Sequence, residues 1–145
     1  MSSLRQFLIA KGYHRIKLNF TPTQHFMLTA EINDIEGTFL LDTGASSSCV
    51  GEGSAEKFEL LSEASDVKAA GAGRTGMQTK LSTKNKLKIG DWEKRKRDFM
   101  LFDMSHINTA LSEFDSPKAD GFIGADILKK GKAVIDYKQK CLYLK

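Results

Sequence analysis

The chain has 145 residues, of which 41% are hydrophobic and 28% charged, with only two prolines and two cysteines. That length suits one domain with its own core and excludes a fibrous or disordered protein; Cys49 and Cys141 are too few and too far apart for a disulfide framework. A surplus of 22 Lys and Arg over 18 Asp and Glu leaves a net charge of +4, and scattered lysines do not make the concentrated basic face of a nucleic-acid binder.

From Ser3 to Lys11 the pattern predicts a short amphipathic helix: Ser3 as N-cap, Leu4, Phe7 and Leu8 on one face, and Gly12 as the stop. The apolar run inside it is only four residues long, with no positive segment before it, so a secretory signal is not expected. No stretch approaches the ~20 apolar residues of a membrane span. Both cysteines lie in apolar surroundings and read as buried free thiols, which points to a reducing, cytoplasmic setting.

The period then changes to two. Ile16, Leu18 and Phe20 alternate with polar residues, and after the break at Thr21-Pro22-Thr23 so do Phe26, Leu28, Ala30 and Ile32. Asn33-Asp34 is a turn signal and Gly37 is read as helping the chain return. The strand Thr38-Phe39-Leu40-Leu41 runs straight into Asp42-Thr43-Gly44-Ala45-Ser46. Ser54 to Leu61 predicts one or two helical turns with Phe58 and Leu61 on one side. Glycines at 71, 73 and 76 suggest a hairpin able to move, and Leu81 to Phe102 reads as two strands turning at Gly90-Asp91. A short helix at His106 to Leu111 follows, then a buried strand at Gly121 to Gly124, a helix from Ala125 to Lys130 stopped by Gly131, and two strands at Ala133 to Asp136 and Cys141 to Leu144. Many short strands with few helices indicate a mainly β, closed sheet.

The chemistry concentrates in residues 39–46, FLLDTGAS. A bulky apolar strand delivers one carboxylate, Asp42, into a tight turn that Gly44 permits. An aspartate at the end of a buried strand is costly unless it is hydrogen-bonded or has a task, and Thr43 and Gly44 are the neighbours able to donate to it.

This segment resembles the signature of the retropepsin-like aspartic peptidases. A second anchor is DGFIGADIL, Asp120 to Leu128, followed by AVIDY at Ala133 to Tyr137, with the glycine-rich hairpin between the two anchors. The resemblance implies an acid protease fold: a retropepsin-like closed β-barrel with short helices over residues 26–145, preceded by a helix-and-strand extension at residues 1–25, all in one domain. It implies that Asp42 is catalytic, supported by Thr43, Gly44 and Ala45, with Gly71, Ala72 and Gly73 in a flap over substrate. Ile123, Gly124 and Asp126 pass beneath the active-site loop, Asp126 as a structural hydrogen-bonding residue. The activity implied is endopeptidase cleavage of polypeptide substrates without cofactor or metal. The chain holds a single DTG and no DSG, so a second carboxylate has to come from a second copy, which implies a homodimer with a two-fold axis between the Asp42 residues and Thr43 reaching across it. Ala45 stands where bilobal relatives carry a hydroxyl, from which a mildly acidic optimum is expected.

The remaining polar residues read as structural. His14, His25 and His106 lack partners at ligand spacing, so no metal is expected. Lys94-Arg95-Lys96-Arg97 reads as a solvated hairpin or edge strand ahead of a phosphate-contacting patch; neither nucleic acid nor membrane is an expected partner. Trp92 is expected to cover the sheet, and Asp136 and Tyr137 to serve packing and a turn. Three other functions compete: a dimeric binding or scaffold module that keeps the fold without catalysis, an actin-like ATPase for which 145 residues leave little room, and nucleic-acid binding through the Lys94–Arg97 run.

Overall fold

Ser3 caps the first element, α1 (Leu4–Ala10): its hydroxyl accepts from the Gln6 N–H at 3.1 Å while the Gln6 side chain accepts from the Ser3 N–H at 2.9 Å. The structure, a computed structural model, describes residues 2–71 and 74–145, with side chains throughout except at 63–71 and 74–78. Gly12, at φ +91°, ends the helix. Of the three residues expected to share a face, only Leu8 is buried; Leu4 and Phe7 remain 46% and 51% exposed. The surface beneath is narrow, a small cluster in which Leu8 meets Cys141 and Tyr143.

Four strands follow: β1 (His14–Lys17), β2 (Asn19–Phe20), β3 (Phe26–Ile32) and β4 (Ile35–Leu41). Phe26, Leu28, Ala30 and Ile32 are all buried, as their alternation requires, but Met27 is buried too, in a second cluster on the opposite face. Asn33 and Asp34 both adopt left-handed backbone, φ 53° and 69°, the conformation of a two-residue hairpin turn whose twist suits the strands. Gly37 takes no part in that return. It lies inside β4 because the Phe58 ring packs on it; a Cβ there would stand 2.4 Å from a ring carbon.

Beyond the loop of residues 42–48 come β5 (Cys49–Gly51), a 3-10 turn (Glu52–Ser54), β6 (Glu63–Gly71), β7 (Arg74–Ile89), β8 (Trp92–Phe102), α2 (Ser105–Glu113), β9 (Gly121–Ile123), α3 (Ala125–Lys130), β10 (Val134–Asp136) and β11 (Cys141–Leu144). After the 3-10 turn Phe58 is buried as expected, but its partner is Leu60 rather than Leu61, which is 88% exposed. Glu59 turns left-handed, φ 57°, and this one residue resets the phase so that Leu60 faces inward.

The strands close into a barrel in the order β3-β4-β9-β5-β8-β7, with β7 returning to β3 through Glu31 opposite Lys88 and Ile32 opposite Leu87. Phe39, Val50, Phe58, Leu87, Ile89, Phe99 and Ile123 fill it without measurable exposure. A separate three-stranded sheet, β1-β11-β10, joins the two ends of the chain: His14 pairs with Leu144 and Lys17 with Cys141, while Val134 pairs with Tyr143 from the other side. The fold is mainly β, with short helices at its margins, as the resemblance implied. Among the described residues no helix is long and apolar enough to cross a membrane.

Candidate active site

Asp42 follows directly on β4. That strand runs parallel to β9, Leu40 beside Phe122 and Leu41 beside Ile123, and the pairing extends one step further as the Asp42 N–H donates to the Ile123 carbonyl at 3.0 Å. The carboxylate position is therefore set by the barrel wall rather than by a free loop. The chain then turns sharply, with the Ala45 N–H donating to the Asp42 carbonyl at 3.2 Å and the Gly44 N–H to Asp42 Oδ1 at 2.9 Å. Among the described residues Asp42 Oδ2 has no hydrogen-bond partner, and Thr43 and Gly44 beside it are exposed. The result is a half-exposed carboxylate with one oxygen oriented by backbone and the other open.

Below this loop lies the second segment that the sequence singled out. Gly124 passes so close that a Cβ would sit 2.7 Å from the Ala45 carbonyl oxygen and 3.1 Å from the Ser47 carbonyl. The Ala125 N–H donates to that same Ala45 oxygen at 2.7 Å. Asp126 Oδ1 accepts from the Ser48 N–H at 2.9 Å, the Ser48 hydroxyl at 2.7 Å and its neighbour Ile127 N–H at 2.8 Å. Ser48 Oγ in turn accepts from the Gly124 N–H at 2.8 Å, in a wholly buried position. The loop of residues 42–48 is thus clamped onto residues 123–127 by hydrogen bonds and close backbone contact.

Two contributors to this frame were not identified in the sequence. Ser48 is the last of three consecutive serines, and composition gives no way to choose the buried one. Asp120 lies within the quoted DGFIGADIL segment, but nothing marked its role. Its carboxylate accepts from the Thr38 N–H at 2.9 Å, the Ser54 hydroxyl at 2.8 Å and Lys57 Nζ at 3.1 Å. Its backbone carbonyl accepts from Gly51 N–H and its own N–H donates to Thr38, so it ties together β4, β5, β9 and the 3-10 turn. Burial works to raise the Asp120 pKa, but the three donors and the charge of Lys57 prevail and hold it below the ordinary 3.8.

Cys49, next to Ser48, donates weakly to the Ser47 carbonyl at 3.4 Å. Burial, with the carboxylates of Asp126 and Asp42 adding to it, pushes its pKa up to about 12, so it is a protonated core thiol and no nucleophile. Gly71 ends β6 opposite Arg74 of β7; Ala72 and Gly73, the other two residues expected in a flap, lie outside the described residues. A cavity of about 600 Å³ lies elsewhere, between α2 and the 3-10 turn, and none of residues 42–45 lines it. Among the described residues no group of three His, Cys, Asp or Glu side chains is placed to hold a metal ion.

Residues 28–127 match the family model described as aspartyl protease. No curated protein matches the chain in sequence. Many solved structures are similar in fold, among them these three. A retropepsin-like aspartic protease from Rickettsia conorii aligns at 20% identity and TM-score 0.61, over 92% of this chain and 89% of that one. The EIAV protease, solved with the inhibitor HBY-793, aligns at 19% identity and TM-score 0.56, over 76% and 90%. The retroviral protease-like domain of Ddi1 from Leishmania major aligns at 19% identity and TM-score 0.55, over 82% and 86%.

Proposed function

The chain belongs to the aspartyl protease family, and on that premise we propose that it is an endopeptidase, active as a homodimer in which the Asp42 carboxylates of two copies flank one water molecule. Two carboxylates at short range cannot both ionise, so the pair shares a proton. The ionised member takes a proton from the water as it attacks the scissile carbonyl, and the protonated member donates to the developing oxyanion. The step needs no cofactor. Thr43 is assigned the contact across the two-fold axis, Gly44 and Ala45 the shape of the turn, and Gly71, Ala72 and Gly73 the cover over an extended polypeptide substrate.

The observation that carries this reading is the open Oδ2 of Asp42, on a loop held rigid from below and exposed above, in a chain with a single DTG. One such carboxylate supplies half of an acid–base pair. A surface that meets itself about a two-fold axis supplies the other half from the same residue.

Cleavage of an unstructured peptide library in mildly acidic solution, followed as protein concentration rises, tests the proposal. The rate per chain should climb with concentration and then level as the dimer saturates, and a statine-type mimic of the tetrahedral state should inhibit it. Asp42→Asn should abolish cleavage while leaving the sedimenting mass unchanged. A rate per chain independent of concentration in a monomeric protein, or equal cleavage by Asp42→Asn, would refute the proposal.

A further inference from the structure

Between Lys80 and Asp98 the chain carries eight Lys and Arg against three Asp and Glu, a surplus of +5, while the rest carries 14 against 15. Basic residues are scattered along the chain, but the net surplus resides on one β-ribbon, the second part of β7 and the first part of β8, paired from Lys80 opposite Leu101 to Ile89 opposite Trp92. Its apolar residues Leu87, Ile89, Trp92 and Phe99 are at most 3% exposed and pack into the core. The local acids are few: Glu93 pairs with Lys86 and Arg95, Asp34 from the neighbouring turn pairs with Lys86, and Asp91 and Asp98 form no ion pair among the described residues. Among the described residues Lys84, Lys88, Lys94, Lys96 and Arg97 have no ion-pair partner.

Protection of an open strand edge explains part of this. Among the described residues, 92–98 of β8 pair on the β7 side alone, and lysines there discourage unwanted strand addition. It does not explain Lys84, Lys86 and Lys88, which lie on β7, a strand that has β8 on one side and meets β3 at residues 87–88 on the other.

We propose that this ribbon is a docking surface for an acidic polypeptide segment in extended conformation. The open edge of β8 offers backbone donors and acceptors to an extended chain, and Lys84, Lys88, Lys94, Lys96 and Arg97, which no ion pair engages among the described residues, offer partners to its acidic side chains. Lys96, left-handed at φ 56°, interrupts the edge, so charge pairing carries most of the contact and salt weakens it. A nucleic acid fits less well because Trp92 and Phe99, the aromatic residues of the segment, are buried and leave no stacking platform. A membrane fits less well because the ribbon's described aliphatic side chains face the core or its margin rather than solvent.

The test measures binding of a fluorescent, glutamate-rich 12-residue peptide to the full-length Asp42→Asn chain, which keeps cleavage out of the readout. Binding should weaken with added salt, and Lys94→Gln, Lys96→Gln and Arg97→Gln together should weaken it about tenfold, as three pairs at the surface, one exposed and two half-buried, allow. Lys129→Gln, Lys130→Gln and Lys138→Gln together, removing equal charge elsewhere, should leave it within about twofold. Circular dichroism confirms that both triple variants fold. Absence of binding at low salt, equal loss in the two triple variants, or tighter binding of a single-stranded oligonucleotide of the same charge would overturn the proposal.

Discussion

Replacing Ser48 with alanine probes the clamp that holds the Asp42 loop. The Ser48 hydroxyl lies wholly buried between two partners, donating to Asp126 Oδ1 at 2.7 Å and accepting from the Gly124 N–H at 2.8 Å. Loss of a hydrogen bond to a charged group costs about 1.5–3 kcal/mol, and Asp126 keeps its bonds from the Ser48 and Ile127 N–H groups, so the lower end of that range applies. The Gly124 N–H is left buried without an acceptor, which costs about 1–3 kcal/mol more. The expected destabilisation is about 3 kcal/mol, equivalent to a fall of roughly 1–2 M in the urea midpoint for a domain of this size. The measurement is a urea melt by circular dichroism at fixed protein concentration, because the proposed dimer would add its own stabilisation. Ser46→Ala and Ser47→Ala are internal controls: both serines are exposed, and either change should stay within about 0.5 kcal/mol of the parent. If Ser48→Ala matches those controls, the clamp is not what holds the loop.

Gly124→Ala should cut cleavage at least tenfold and cost about 1–3 kcal/mol, because the added carbon meets a backbone oxygen that is unable to rotate away; peptide cleavage and a thermal melt check both, and full activity would contradict the geometry. The Asp120 carboxyl titrates below its ordinary 3.8 in the folded state, so its contribution is fully present above that value and fades as pH falls through the lower folded one. Acid unfolding curves of Asp120→Asn and the parent should accordingly begin to converge as pH falls below 3.8 and meet below the lower folded value, the variant having been less stable above; parallel curves would refute the assignment. Cys49 and Cys141, both buried and the former raised to about 12, should react with a thiol reagent at pH 8 only after unfolding, as titration with and without denaturant will register.

Much of the barrel was legible because period-two alternation and turn chemistry act locally. The β3 residues faced inward as their spacing required, and Asn33-Asp34 and Gly90-Asp91 turned where expected. The errors arose where one backbone conformation or a distant side chain intervened. Glu59, left-handed without being glycine, exchanged Leu61 for Leu60, and Gly37 answered to the Phe58 ring, 21 positions away, rather than to a turn. On the site, the glycine at 124 and the aspartate at 126 were readable because their motif is distinctive. The serine that links them to the loop was not, since Ser46, Ser47 and Ser48 differ only in burial. Asp120 went unnoticed because its partners Thr38, Ser54 and Lys57 come from elements that converge only in three dimensions.

The sheet in which β11 lies between β1 and β10 ties the order of synthesis to the order of assembly. A nascent chain carries residues 14–17 out of the ribosome long before residues 141–144 exist, so β1 waits for its partner while every strand of the barrel is made. The barrel also stays open until β9 is made, and the Asp42 N–H gains its acceptor, the Ile123 carbonyl, only then. A growing chain thus holds the Asp42 loop unanchored until the residues that underlie it have been made.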